Sequence, residues 1–231
     1  MDVAGRMIHF PTRLGEQRGY LVEPQDGRPH PGAVVIQEWW GLDAHIQEVT
    51  RRLAAEGYVA LAPDLYDGQV ARDPERAMAL MTALPVEDGV EKLVGAVEAL
   101  VALDRVEPKR VAVVGFCMGG SYALELALRS PRIAAVAPFY PGRIGALLDR
   151  LPAIRVPMFV PFGGADASIP LAVVDRFRET AQRAGMDVEI KVYPGCDHAF
   201  HNDTAPVYNE AAAKDAWART LLLFARALTP A

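Results

Sequence analysis

Short apolar runs alternate along this chain with longer stretches whose apolar positions recur at helical spacing. Runs at 33–36, 59–62, 111–115, 133–139, 158–162 and 188–193 predict strands. Amphipathic stretches at 46–56, 119–129, 171–184 and 208–228, and a double helical region over 74–103, predict the helices between them. In the last helix, Trp217, Leu221 and Phe224 fall on the inward face and the charged residues on the solvated one. Strand–helix alternation with solidly apolar strands indicates an α/β fold, a mostly parallel sheet with helices on both faces. Right-handed crossovers then bring every parallel strand's C-terminal end to one edge, where such sheets hold ligands. The first thirty residues carry short alternations around His9 and Tyr20 and predict an antiparallel edge.

Glycine and proline punctuate the element ends at Gly41, Gly57, Pro63, Pro131, Pro157, Gly163, Gly164, Gly185, Pro194 and Gly195, and do not cluster into a linker. The expected organisation is one domain over 1–231, and the segment between Phe139 and Pro157 is too short for a large cap. With 24 Lys+Arg, 29 Asp+Glu and a net charge of −5, the chain has no basic block, so neither nucleic acid nor an anionic membrane surface is expected as partner. No apolar run approaches the ~20 residues that span a bilayer. The N-terminus lacks a charged start leading into a long apolar run, and the two cysteines fit a reducing compartment, so a cytoplasmic protein is expected. Oligomeric state stays open between a monomer and a small homo-oligomer.

The candidate chemistry starts at Gly115-Phe116-Cys117-Met118-Gly119-Gly120, between the run ending at Val114 and a helical pattern. This is a nucleophile elbow with cysteine in the serine position. Glycines are needed there because the nucleophile sits on a strained turn against neighbouring backbone. At a helix N-terminus, free N–H groups and the helix dipole favour both a thiolate and a developing oxyanion. Asp166, in Phe162-Gly163-Gly164-Ala165-Asp166, and His198, in Asp197-His198-Ala199-Phe200, each follow a predicted strand. Nucleophile, acid, histidine is the chain order of an α/β-hydrolase triad, and the fold brings all three to one sheet edge.

Together with Glu38-Trp39-Trp40-Gly41 after the first core strand and Ala62-Pro63-Asp64-Leu65-Tyr66 after the second, these motifs resemble dienelactone hydrolases, also called carboxymethylenebutenolidases, over essentially the whole chain. The resemblance implies an α/β-hydrolase fold and hydrolysis of a small ester or lactone. It casts Cys117 as nucleophile, His198 as general base and then acid, and Asp166 as the group orienting the imidazole. It also implies that Glu38 contacts the resting thiol and assists its ionisation. The oxyanion hole is expected from the backbone N–H groups of Met118 and Trp39, with Trp40 as a pocket wall.

The likeness thins at substrate recognition. The family holds its substrate carboxylate with two arginines. Here Asn202 stands four residues past His198, and Arg72 and Arg76 flank Pro74 in the upstream stretch. Asn cannot form a bidentate charged clamp, so neutral esters and lactones are expected to be better substrates than the anionic dienelactone. Asn202, Arg72 and Arg76 are the remaining candidate substrate contacts. Cys196-x-His198-x-x-His201 lacks a fourth ligand and is not assigned to a metal, and no cofactor is expected. Ser121 reads as an ordinary first-turn residue; His9, His30 and His45 read as surface or loop residues. The alternative to an enzyme is a small-ligand binder on the same fold.

Overall fold

The computed structural model describes residues 1–228, so the last three residues of the expected 1–231 domain lie outside it. The described chain forms one eight-stranded sheet: β1 (Val3–Thr12), β2 (Gly15–Pro24), β3 (His30–Ile36), β4 (Val59–Pro63), β5 (Val106–Phe116), β6 (Ile133–Phe139), β7 (Met158–Gly163) and β8 (Val188–Tyr193), in the order β1-β2-β4-β3-β5-β6-β7-β8. β1 pairs antiparallel with β2, and β2 antiparallel with β4, which is the antiparallel edge expected of the N-terminal residues. The pairings from β4 through β3 and β5 to β8 are parallel. Parallel strands need crossovers, and the helices α1 (Ala44–Ala55), α2 (Pro74–Ala83), α3 (Val86–Val101), α4 (Met118–Arg129), α6 (Leu171–Ala184) and α7 (Glu210–Leu228) lie outside the sheet. α1 and α7 meet across Arg52 and Trp217. α3 and α4 pack together against β5 on their own side.

Coverage on both faces explains why the central strands are apolar at successive positions. Val111, Ala112, Val113 and Val114 are all fully buried, as are Val34, Val35 and Ile36. β5 starts at Val106, five residues before the apolar run, because Val106 pairs with His30 at the start of β3 across a register irregularity that precedes Val111. A four-residue helix, α5 (Ile144–Leu147), and a short 3-10 turn (Leu151–Ala153) fill the segment after β6, and no large cap stands there. Among the described residues, no helix is long and apolar enough to cross a membrane.

Two histidine expectations are corrected. His30 is buried, with Nδ1 on the Gly57 carbonyl (3.0 Å) and Nε2 on Asp26 (2.8 Å), so it ties β3 to the turn after α1. His45 is buried in the first turn of α1, with Nδ1 3.0 Å from Asp203. A lone histidine in the sequence carries no sign of such distant partners. His9 is exposed, as expected.

Candidate active site

The site is assembled at the C-terminal ends of β3, β5, β6, β7 and β8. Ile36 pairs with Gly115, Phe116 with Phe139, and Gly163 with Tyr193, so the residues just past these strands emerge at one level.

Cys117 occupies the sharp turn between β5 and α4 at φ 55° and ψ −111°, a strained conformation for a residue with a side chain. Its N–H donates to the Phe139 carbonyl (3.1 Å) and its carbonyl accepts from Ser121 N–H (3.3 Å), so backbone on both sides holds the turn. Two glycines make that turn possible by close approach. A Cβ on Gly115 would lie 2.1 Å from the Gly119 carbonyl oxygen, and one on Gly119 would lie 2.4 Å from the carbonyl oxygens of both Ile36 and Gln37.

Asp166 and His198 are brought together by hydrogen bonds between their loops. Gly164 N–H donates to Tyr193 O (2.8 Å), and Ala165 N–H donates to Cys196 O (2.8 Å). Asp166 is buried, and its Oδ1 accepts from the N–H groups of Ser168 (2.8 Å) and Ile169 (3.1 Å). Its Oδ2 is thereby directed to His198 Nδ1 at 2.6 Å. Fixing Nδ1 on the carboxylate leaves Nε2 for Cys117, with which the ring also interacts. Burial disfavours charge on His198, but Asp166 and the Cys117 sulfur outweigh it and raise the imidazole from 6.5 to about 10.

Glu38, just past β3, is buried at the same site. Burial raises its carboxyl from 4.5 to about 7, although Asn202 Nδ2 donates to its Oε2 at 2.8 Å. The Asn202 amide is held in that orientation because its Oδ1 accepts from Thr204 N–H (3.0 Å) and Thr204 hydroxyl (2.7 Å). Asp203 anchors the same loop to α1 through His45 Nδ1 and Arg52 (3.5 Å). Asn202 thus holds Glu38 as well as lining the cavity, a role beyond the substrate contact expected of it. The resting contact expected between Glu38 and the thiol is not among the hydrogen bonds of its carboxylate: Oε2 accepts from Asn202, and the Tyr140 hydroxyl also acts on the group.

Tyr140, directly after β6, is a site residue that sequence reasoning missed. It is fully buried at φ 34°, its ring centroid lies 5.0 Å from that of His198, and its hydroxyl interacts electrostatically with Glu38. Its position at a strand's C-terminal end was the available signal. Tyr66 also reaches the site, its hydroxyl 3.1 Å from the Met118 sulfur.

These residues open onto a cavity of about 650 Å³, within the range of small-molecule sites. Glu38, Trp39, Trp40, Cys117, Met118, His198 and Asn202 all line it. Met78, Met81, Leu84 and Val86 of the α2–α3 region form an apolar wall, and Val207 and Leu147 extend the carbon lining. Trp39 and Trp40 pack edge to face, centroids 5.0 Å apart, and both wall the cavity. Among the described residues, neither the Trp39 nor the Met118 backbone N–H has a hydrogen-bond acceptor in the fold, so both are free to receive one from a ligand. Arg72 and Arg76 are not part of the lining; both are exposed, and Arg76 is bonded to Gln69. The cation that does line the cavity is Arg143. Ser121 lines it too and accepts the Arg143 backbone N–H (2.9 Å), more than a first-turn residue needs to do. His201 is buried and stacked on Phe116, centroids 5.0 Å apart, so it serves the core.

Comparison with known proteins follows the same outline. The dienelactone hydrolase family model matches residues 17–228. Protein usf of Aquifex pyrophilus is 36% identical, the match covering 97% of this chain and 100% of that protein. A Methylorubrum extorquens protein provisionally named carboxymethylenebutenolidase is 32% identical over 94% of this chain and 79% of its own length. A crystal structure from Klebsiella pneumoniae subsp. pneumoniae, provisionally assigned as a dienelactone hydrolase, superposes with a TM-score of 0.88 at 28% identity, covering 98% of this chain and 100% of that one. A match running from β2 to the end of α7, joined to an α/β-hydrolase sheet, makes this chain a member of the dienelactone hydrolase family.

Proposed function

We propose that the protein hydrolyses small esters or lactones by covalent catalysis at Cys117, with His198 as proton carrier and Asp166 as its orienting partner. One observation carries this reading: a strained cysteine at a helix N-terminus opens onto the same cavity as a histidine held by a buried aspartate.

In this mechanism the Cys117 thiol proton passes to His198 Nε2. The thiolate attacks the substrate carbonyl carbon, and the oxygen takes up the displaced electron pair, stabilised by the Met118 and Trp39 N–H groups. On collapse the C–O bond to the leaving group breaks, and His198 returns its proton to that oxygen. Water then gives a proton to His198 Nε2 and attacks the thioester carbonyl. The C–S bond breaks, His198 returns that proton to the Cys117 sulfur, and the products are a carboxylic acid and an alcohol, or one hydroxy or oxo acid from a lactone. The high proton affinity of His198 suits it to hold the thiol proton during attack.

A carboxylate adjacent to the scissile bond finds Asn202 and Glu38 on that side and no guanidinium. Neutral esters and lactones are therefore the better substrates, ahead of a compact anionic lactone. Cys117→Ala is expected to abolish turnover of an aryl ester and the iodoacetamide labelling of that position, with folding checked by circular dichroism. Undiminished turnover in a folded Cys117→Ala protein rules the mechanism out.

A further inference from the structure

We infer that Arg143 is a specificity-determining residue that receives a carboxylate carried at a distance from the scissile bond, so that the preferred esters are amphipathic, with an apolar body and a remote acid group. The inference rests on the ester-hydrolase reading above and names the substrate class of the same site.

Apart from the Cys117 thiol and the Tyr122 hydroxyl, the ionisable side chains of the cavity wall are Glu38, Glu125, Arg143 and His198. Three are already engaged. His198 is held by Asp166, Glu38 by Asn202, and the buried Glu125 by Arg150 at 2.7 Å. Arg143 differs: among the described residues no carboxylate lies within salt-bridge distance of its guanidinium and no acceptor takes a hydrogen bond from it. Its guanidinium acts electrostatically on Tyr122, another lining residue. A free guanidinium with five donors, lining an otherwise carbon-rich cavity, matches a carboxylate from the ligand.

The backbone fixes where that carboxylate would sit. Arg143 N–H is held by Ser121 Oγ, and Ser121 N–H is bonded to the Cys117 carbonyl. Arg143 is therefore anchored one turn along α4 from the nucleophile, a rise of about 5.4 Å. Its flexible side chain adds reach toward the cavity mouth, where the residue is exposed. The charge thus lies on the α4–α5 side, away from Glu38, whose own carboxylate would repel an anion placed next to it. Met78, Met81, Leu84 and Val86 line the remaining wall, and methionine adapts to varied apolar shapes. A spacer of a few methylenes between carbonyl and acid fits this division of the cavity.

The test compares matched pairs of neutral and acid-bearing esters in steady state. One pair is p-nitrophenyl pentanoate and the p-nitrophenyl monoester of glutaric acid; the other is phenyl pentanoate and 4-carboxyphenyl pentanoate. Arg143→Gln is expected to lower kcat/KM for the acid-bearing member of at least one pair by about tenfold, mainly through KM, as loss of a charge-assisted hydrogen bond requires. The neutral members stay within about twofold, and Arg143→Lys restores part of the loss. Equal losses on neutral and acid-bearing esters, or no loss on either, overturn the assignment of Arg143 while leaving Cys117-dependent turnover in place. Absence of Cys117-dependent turnover of every ester by the wild-type protein overturns the underlying reading instead.

Discussion

The most informative single residue is Glu38. Its carboxyl is taken out of water at the end of β3, and that burial, opposed by Asn202, leaves it near 7 and not in the ordinary carboxylate range. It also interacts electrostatically with His198. Above about pH 7 the ionised carboxylate favours the charged imidazole that must coexist with the thiolate; below it that assistance is lost. The pH profile of kcat/KM is therefore expected to rise through an inflection near 7 in the wild type and to lose that inflection in Glu38→Gln, which keeps the acceptor for Asn202. An unchanged inflection in that variant assigns it to another group. Glu38 was singled out in the sequence through the family resemblance that the Glu38-Trp39-Trp40-Gly41 motif carries. Its hydrogen bond to Asn202 was not, because no periodicity links residues 164 positions apart. Arg143 was invisible for a related reason, and Tyr140 offered only its place just past a predicted strand. Arg143 caps a four-residue helix too short to give a periodic signal, and Tyr140 owes its place to a positive φ no propensity scale anticipates for tyrosine.

At the scale of elements, the β5–elbow–α4 unit shows how closely sequence and geometry can correspond. The apolar run, the glycines flanking Cys117 and the helical pattern together specify strand, strained turn and helix, and the structure adds why the spacing cannot vary. α4 begins so close to the end of β3 that Gly119 lies against the Ile36 and Gln37 carbonyls. Because those obstructing atoms are backbone, Gly119→Ala has little room to relax and is expected to cost about 2–3 kcal/mol. That corresponds to a Tm lower by about 5–10 °C for a chain of this size. Thermal unfolding followed by circular dichroism measures it directly; an unshifted Tm would mean that β3 and α4 can separate without cost. The helix pair α2–α3 was legible as a double helical region, and the break between α2 and α3 falls at Leu84-Pro85, where proline lacks the N–H to continue α2. The early start of β5 was not legible, since Val106 joins β3 across a register irregularity with residues 107–110 between it and the apolar run.

For the whole molecule, buried titratable groups at and behind the site set opposing pH dependences. Glu38 keeps its proton in the fold up to about 7, whereas the unfolded chain releases it near 4.5, so the fold loses stability as pH rises through that interval. The full effect is at most about 3 kcal/mol. His45 and His201 act in the other direction. Burial holds both below the usual 6.5, so the unfolded chain takes up protons first and stability falls as pH drops below 6.5. Removing the Glu38 contribution with Glu38→Gln should raise stability relative to wild type at about pH 8 and make the decline toward about pH 5 steeper. Denaturant midpoints across that range check both signs, and a parallel shift at all pH values would contradict them. The parallel sheet, the antiparallel edge and the convergence of Cys117, Asp166 and His198 on one edge were all legible, because strand periodicity and crossover handedness act through the whole chain. What was not legible is how loops from β3 and β8 meet, since the ties through His45, Asp203 and Asn202 exist only after folding.

The claim on which the account turns is that Cys117 carries the substrate's acyl group. Rapid acid quenching of the wild-type protein during turnover of p-nitrophenyl pentanoate, followed by peptide mass spectrometry, should find one pentanoyl group on the peptide containing Cys117. The adduct should disappear in Cys117→Ala. An acyl group on a different residue, or its persistence in the alanine variant, contradicts the account.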